Sequence, residues 1–347
     1  MGTHVIEAGF PANGEAEFEA VRDIAAATDA TVAGLARVVD GDIDAALDAG
    51  VDMIHVFAST SDVQIEDSMH ATREEVLERS VAAVERVVDA GVTVMFSPMD
   101  ATRTDRDYLA EVVDGVTDAG VDWINIPDTT GVATPSRFAD LVAFVNDRTD
   151  ARIDVHTHDD FGMAAANAIA GFEAGADQAQ VSVNGIGERA GNAAFEEVVM
   201  TAESVYGVDS GIDTTRIMAL SKMIEHRSDV PVPANKPVVG DNAFAHESGI
   251  HAAGVIENAD TFEPGVMTPE MVGAERSVVL GKHTGTHAVR QHLEEANYAP
   301  SDEEVRAVTR RVKDYAAEKQ RVTAEDLHRF AAQVGVEEAP ERQGVSV

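Results

Sequence analysis

The 347-residue chain has 62 acidic and 26 basic side chains, a formal net charge of −36, and no cysteine. Such a negative surface repels nucleic acids and anionic membranes, and a chain without cysteine forms neither disulfides nor thiolate sites. No apolar run approaches the ~18 residues of a membrane span and the N-terminus lacks a signal-peptide pattern, so we expect a cytoplasmic protein.

The acidic residues are spread along the whole chain, and only 5 of the basic residues are lysine. Dispersed negative charge with little lysine is typical of proteins that stay soluble in concentrated salt, where screening tolerates the self-repulsion. The composition therefore predicts a halophilic source.

Short β-type runs alternate with amphipathic stretches along the first 207 residues. The runs are Thr3–Ala8, Thr31–Val38, Met53–Ala58, Thr93–Ser97, Trp123–Pro127, Arg152–His156 and Gln178–Val183. The helical patterns between and after them include Ala16–Ala27, Thr72–Asp89, Asp107–Ala119, Ser136–Asn146, Gly162–Ala174 and Ala193–Tyr206. A rhythm of strand, helix and strand predicts parallel βαβ units.

Counting these units favours one architecture. Seven strand–helix units are present, whereas a (β/α)₈ barrel has eight. A doubly wound sheet is less favoured, because no Gly-x-Gly-x-x-Gly turn follows an early strand. Polar residues cluster after the C-terminal ends of many strands, where a barrel keeps its active site. We therefore predict a TIM (β/α)₈ barrel lacking its first strand–helix unit, followed by a mostly helical C-terminal subdomain.

The strand–helix rhythm stops near Gly207. We predict barrel units 2 to 8 at 1–207, a linker and lid subdomain at 208–286, a helical subdomain at 287–335 and a disordered tail at 336–347. Three helices are predicted at Thr286–Ala296, Ser301–Glu318 and Thr323–Val334. Because the first strand begins almost at Met1, we expect the absent unit at the front, with Met1 an internal methionine taken as a start.

Two histidines, His156 and His158, close one of the predicted strands. Alternate residues of a strand point the same way, so the two imidazoles share one face and make a half-site for a divalent metal. The spacing alone is a weak pattern, and two ordinary core or surface histidines remain an equal alternative.

The segment Asn184–Asn192, Asn-Gly-Ile-Gly-Glu-Arg-Ala-Gly-Asn, follows the next strand and opens a helix. Its backbone N–H groups and the helix dipole suit an anion. An ordinary βα turn is the alternative, but the position one unit after the histidine pair favours a binding loop.

Three further segments suit either chemistry or simple structure. Phe96–Arg103 and Pro127–Gly131 follow two other strands and can present hydroxyls, a carboxylate and the Arg103 guanidinium to a substrate. Helix capping and an ordinary ion pair are equally open for them. His246–His251 lies in a loop-rich region and suits a structural turn or a lid that carries a proton-transfer group.

Together these segments resemble the family of metal-dependent Claisen-condensing barrels that includes 2-isopropylmalate, homocitrate and citramalate synthases. The matching phrases run in family order over nearly the whole chain: Asp100-Ala-Thr-Arg, Pro127-Asp-Thr-Thr-Gly, His156-Thr-His-Asp-Asp-Phe-Gly-Met, Asn184-Gly-Ile-Gly-Glu-Arg-Ala-Gly-Asn, His246-Glu-Ser-Gly-Ile-His and Gly281-Lys-His-Thr-Gly. Within the family, the chain is most similar to 2-isopropylmalate synthases of the haloarchaeal type.

The resemblance implies a site and a reaction. His156 and His158 would be ligands of a divalent metal (Mn, Zn or Mg), with Asn192 completing or bordering its site. The other implied residues are His55, Ser97 and Thr129 on the keto-acid side, Gly185, Gly187 and Gly191 on the acetyl-CoA side, and Arg103 and His251 as catalytic residues. His251 would belong to a lid reaching the barrel of a partner chain, which implies a homodimer. The implied reaction converts acetyl-CoA, 2-oxoisovalerate and water into 2-isopropylmalate and CoA, the first committed step of leucine biosynthesis.

Two departures from the family pattern bear on activity. Family members begin with a strand carrying Asp-x-Thr-x-Arg-Asp-Gly-Glu, whose Asp is a metal ligand, and this sequence has no such segment, so we expect the chain to be poorly active. Many relatives have Glu where this chain has Met99, so a role there does not carry over. Homocitrate or citramalate synthase, a related carbon–carbon lyase (whose lid uses a cysteine) and an inactive fragment remain alternatives.

Overall fold

The computed structural model describes residues 1–246, 267–275, 277–278, 280–318 and 322–339. The chain divides into two compact units. The first comprises residues 1–213 and 220–230, and the second comprises 214–219 and the described residues from 231 onward. In these described ranges, every helix is too short or too polar to cross a lipid bilayer.

The first unit is built on parallel strands that pair in chain order, β1 to β7. The strands are β1 Val5–Gly9, β2 Thr31–Arg37, β3 Met53–Ser59, β4 Thr93–Met99, β5 Trp123–Asp128, β6 Arg152–Thr157 and β7 Gln178–Gln180. The longer helices are α1 Glu15–Ala27, α2 Asp40–Asp48, α3 Arg73–Asp89, α4 Arg106–Asp118, α5 Pro135–Asn146, α6 Ala164–Glu173 and α7 Phe195–Ser204, together with α8 Ile217–Ser228, which belongs to this unit from Leu220 onward. This architecture confirms the predicted fold class, with seven strands of a TIM-type barrel.

Helix α3 illustrates how the sequence determines these elements. Thr72 caps it, because the Thr72 hydroxyl accepts the Glu75 N–H while the Glu75 carboxylate accepts the Thr72 N–H. One face carries buried residues at the spacing of an amphipathic helix: Val76, Ser80, Ala83, Val84 and Val87. This stripe packs the helix against the neighbouring strands β3 and β4.

Among the described residues, no strand pairs with the outer edges of β1 and β7, so the sheet is open between them. A cavity of about 1260 Å³ lies along this side, and its apolar lining includes Val5, Met95, Phe172, Phe195 and Val199. A fully closed barrel would have its strands paired all the way round, including on this side.

Asp42, in the first turn of α2, is a buried carboxylate whose partner comes from the end of β2. It accepts hydrogen bonds from the Arg37 backbone N–H (3.1 Å), Nε (2.6 Å) and Nη2 (3.0 Å). Burial alone would raise the pKa of Asp42, but these bonds outweigh it and hold the pKa below its ordinary value.

We expect Asp42→Asn to lower the free energy of unfolding at neutral pH by about 1 kcal/mol, since the exposed Arg37 charge is screened by water. With the native pKa depressed, this stabilisation is fully present above the unfolded pKa of about 4 and is lost as pH falls through the native value. Urea unfolding across that pH range measures it. Asp48→Asn, exposed on the same helix, is the control, and a deficit that persists at the lowest pH contradicts the prediction.

The described residues of the second unit form a parallel pair, β8 Ala245–His246 with β9 Ser277–Val278, and three α-helices. The helices are α9 Thr286–Glu295, α10 Asp302–Glu318 and α11 Ala324–Val334, close to their predicted bounds. They share a core that includes Val289, Leu293, Val312 and Phe330. Of the tail predicted to be disordered, Val336 is buried in this core, and 340–347 lie outside the described residues.

Candidate functional site

His156 in β6 and His158, the residue directly after β6, lie side by side at the C-terminal end of the sheet. The rings of His156 and His158 have centroids 4.8 Å apart and planes at 80°. His158 Nδ1 lies 3.3 Å from the backbone carbonyl of Asp128. A carbonyl only accepts, so Nδ1 is the donor in this contact, and Nε2 is the ring nitrogen left to serve as a metal ligand.

The loop after β7 folds back on this end of β6. His158 and Asn192 form an antiparallel backbone bridge, and the Asp159 N–H donates to the Gly191 carbonyl (2.9 Å). Two of its glycines are required by space. A Cβ on Gly191 (φ +98°) would lie 1.9 Å from the Gly185 carbonyl oxygen, and one on Gly187 would lie 2.9 Å from the Asn192 amide. The glycine spacing therefore lets Asn192 approach the histidines.

Two buried atoms here have no hydrogen-bond partner: His156 Nδ1 and Asn192 Oδ1. Buried polar atoms are nearly always satisfied, and unsatisfied ones indicate a missing ion or water. Burial lowers the pKa of His156 to about 4, with the neighbouring His158 adding to the effect, so the ring is neutral at pH 7. A neutral imidazole and an amide oxygen are both metal ligands, so these residues fit a divalent ion.

Among the described residues, carboxylates do not complete this group. Within the part of the chain that the structure describes, no cluster of three or more His, Asp or Glu side chains is placed to hold a metal. The candidate centre is therefore two imidazoles and one amide.

A chain of hydrogen bonds crosses the inner face of the sheet beside the histidines. Sequence analysis placed only two of its members, His55 and Ser97, in the site. The chain runs Glu7–His55 (2.6 Å), His55–Ser97 (2.6 Å), Ser97–Asn125 (2.6 Å), Asn125–Asp154 (2.6 Å) and Asp154–Gln180 (2.8 Å). It links every strand of the sheet except β2.

The direction of these bonds follows from Asp154. Its Oδ2 accepts from the Asn125 amide N–H, so Asn125 turns its oxygen to Ser97, whose hydroxyl donates to it. Ser97 has one proton, so its oxygen accepts from His55 Nε2. The bonds thus hold His55 and Ser97 in single orientations.

Burial and charge act on the two ends of this chain. Complete burial raises the pKa of Asp154 to about 6, opposed by the Asn125 hydrogen bond. At the other end, burial opposes ionisation of Glu7, but the His55 charge and hydrogen bond outweigh it and hold the pKa of Glu7 below its ordinary value. Glu7 remains 36% exposed, so it forms the open end of the chain.

The loops after β4 and β5 meet through Thr129, whose hydroxyl accepts the Asp100 N–H (2.9 Å). Arg103 donates from Nε (2.8 Å) and Nη2 (2.6 Å) to the fully buried Asp100, which also accepts from Ser61 (2.5 Å). Arg103 thus forms an ion pair, one of the two alternatives that the sequence analysis left open for it. Its catalytic role stays a prediction. His251 lies outside the described residues.

The fold and the site define a parallel β/α barrel with a candidate metal centre at the carboxyl ends of its strands. The HMGL-like family model matches residues 1–224, and a model described as homocitrate synthase post-HMGL domain-like matches 238–320. The chain therefore belongs to the HMGL-like family.

Curated relatives from one archaeon, Methanopyrus kandleri, carry two names. One described as a probable 2-isopropylmalate synthase is 52% identical over 90% of this chain and 63% of its own length. Another, described as an (R)-citramalate synthase, is 47% identical over 96% of this chain and 66% of its own. The chain thus spans about two thirds of the length of these relatives.

Among solved structures, an HMG-CoA lyase from Acinetobacter baumannii, in complex with coenzyme A and 3-methylmalate, is similar with a TM-score of 0.61. Its sequence identity is 21%, and the match covers 68% of this chain and 82% of that one. This likeness supports the fold.

Proposed function

We propose that this chain is the catalytic part of an acyltransferase that converts acetyl-CoA, 2-oxoisovalerate and water into 2-isopropylmalate and CoA. The observation that carries the proposal is the pair of unsatisfied buried atoms, His156 Nδ1 and Asn192 Oδ1, beside His158. The similarity to a relative described as a 2-isopropylmalate synthase supports the choice of keto acid.

His156, His158 and Asn192 would hold a divalent ion (Mn, Zn or Mg), which when bound supplies Lewis-acid polarisation of the keto-acid carbonyl. The neutral state of His156 favours ligation, because a protonated imidazole has no lone pair to give. The hydrogen bond from His158 Nδ1 to the Asp128 carbonyl orients the second ring.

The keto acid is proposed to bind against the ends of β3, β4 and β5. Thr129 accepts the Asp100 N–H, which leaves its hydroxyl proton to donate to the substrate carboxylate. His55 and Ser97 are held by the hydrogen bonds that connect them through Asn125 to Asp154, so both side chains present their polar atoms in fixed orientations. Fixed dipoles of this kind orient a substrate without reorganising during reaction.

Acetyl-CoA is proposed to approach the loop that carries Gly185, Gly187 and Gly191, whose tight turns these glycines permit. A base must remove a proton from the acetyl methyl group before the carbon–carbon bond forms, and a water then hydrolyses the thioester. We propose His251 for proton transfer, from a lid of a partner chain in a homodimer. Light scattering of the full chain tests the dimer.

Release of free CoA from acetyl-CoA tests the proposed reaction. With Mn²⁺ present, we expect 2-oxoisovalerate to exceed pyruvate and 2-oxoglutarate by about tenfold or more in kcat/KM, the usual scale for a pocket that recognises apolar methyl groups. Highest activity with 2-oxoglutarate contradicts the proposal. Absence of release with every keto acid supports the inactive-fragment alternative.

Citramalate synthesis is the second candidate, because the relative described as an (R)-citramalate synthase is nearly as similar to the chain. Overall identity therefore decides little between pyruvate and 2-oxoisovalerate. The residues near the proposed pocket, His55, Ser97 and Met99, would decide it. Preference for pyruvate in the same assay selects this candidate.

A further inference from the structure

We propose that Arg189 is a positioning residue that locks the metal-ligand loop in place, an inference that rests on the proposed metal site. Arg189 donates from Nε and Nη2 to the two carboxylate oxygens of Asp160, at 2.9 and 2.8 Å. Its Nη2 also donates to the backbone carbonyl of Thr129 (2.8 Å). One guanidinium thus ties together the loops that follow β5, β6 and β7.

The backbone is shaped to allow this contact. Arg189 has φ 54°, in the left-handed region that arginine rarely adopts. Across the contact, Gly131 has φ +64°, and a Cβ there would lie 2.5 Å from Asp160 Oδ2. An incidental surface ion pair needs neither a left-handed arginine nor a glycine beneath its carboxylate. The two features together indicate a contact that the fold maintains.

The position of Arg189 in its loop explains what the contact holds. It stands between Gly187, which lies against the Asn192 amide, and Asn192 itself. The Gly191 N–H donates to the Glu188 carbonyl (2.8 Å), so the turn carrying Arg189 leads directly into Asn192. Anchoring the guanidinium to Asp160 therefore restricts the loop on both sides of the proposed ligand.

The ion pair is partly exposed, with Arg189 at 42% and Asp160 at 22%. Exposed pairs contribute little to overall stability because water and salt screen them. We therefore expect loss of the ion pair to weaken metal binding and to leave the free energy of unfolding nearly unchanged. A residue with only a structural role would instead lower the free energy of unfolding.

The test is titration of the full chain with Mn²⁺ alone by calorimetry, for the unmodified protein, Arg189→Gln and Asp160→Asn. We expect each variant to bind Mn²⁺ about tenfold more weakly. This is the lower end of the loss in metal affinity that follows mutation of residues orienting metal ligands. Thermal unfolding without metal should be nearly unchanged. Arg148→Gln is the matched control, since Arg148 donates to both oxygens of Asp114 (3.1 and 2.5 Å) away from the site.

Equal Mn²⁺ affinity in Arg189→Gln and the unmodified chain would overturn the proposed role of Arg189 and leave the proposed metal site standing. So would an equal loss in Arg148→Gln, because the effect then comes from removing any surface arginine. If the unmodified chain binds no Mn²⁺, the proposed metal site fails and the lock fails with it. The three outcomes are distinguishable in one set of titrations.

Discussion

Replacing His158 with alanine is expected to weaken Mn²⁺ binding by more than about 100-fold and to remove CoA release. Loss of a residue that merely orients a ligand costs roughly 10- to 100-fold in affinity, and loss of a ligand costs more. The remaining partners would be one imidazole and one amide, too few to compete with water for the ion. Calorimetric titration with Mn²⁺ measures the affinity.

His70→Ala is the control for this substitution. His70 is exposed and its Nδ1 also contacts a backbone carbonyl, that of Glu66 at 3.0 Å, so the same side chain and bond are lost outside the site. The variant should bind Mn²⁺ as the unmodified chain does. Retention of full affinity in His158→Ala would show that this ring is not a ligand.

Gly191→Ala is expected to destabilise the chain by about 3 kcal/mol and to remove Mn²⁺ binding. The new Cβ would lie 1.9 Å from the backbone oxygen of Gly185, so the loop must move, and the left-handed φ of +98° adds strain. Movement of the loop displaces Asn192 from His158. Urea unfolding and Mn²⁺ titration measure the two effects.

Gly50→Ala is the control that measures the part of the destabilisation due to backbone strain alone. Gly50 has φ +74°, and a Cβ there meets nothing within 4 Å, so only conformational strain of about 1 kcal/mol is expected. Mn²⁺ affinity should be unaffected. Equal destabilisation of the two variants would contradict the steric argument at Gly191.

The fold could be predicted because apolar residues recur at a different spacing in strands than in helices. Each strand–helix unit shows both spacings in turn. Bounds were less certain where a turn competes with a strand. The seventh strand, predicted to reach Val183, ends at Gln180, because Ser182 already bonds across the loop to Ala193 and Phe195. Helix α2, Asp40–Asp48, was not among the predicted helical patterns.

The candidate site could be predicted in part. Spacing along one strand brought His156 and His158 to one face, and the glycine pattern indicated the loop that carries Asn192. Asn125 and Asp154 were missed, although each is a polar residue inside an apolar strand, and Asp154 lies two positions before His156, on the same face. That alternation was the available signal.

Pairings between distant loops could not be predicted. Arg189 and Asp160 are 29 residues apart, and nothing local in either segment indicates the other. Such a contact depends on the three-dimensional arrangement of three loops, which strand order fixes only approximately. The same limit explains why the Arg103 ion pair with Asp100 could not be separated from a catalytic role.

The central claim is that His156, His158 and Asn192 hold one divalent ion. The most direct measurement is an anomalous difference map from crystals of the full chain grown with Zn²⁺. The account predicts a single strong peak at bonding distance, about 2.1 Å, from a nitrogen of each of the two rings, with the Asn192 amide oxygen beside it. A peak elsewhere, or none near the two rings, would contradict the claim.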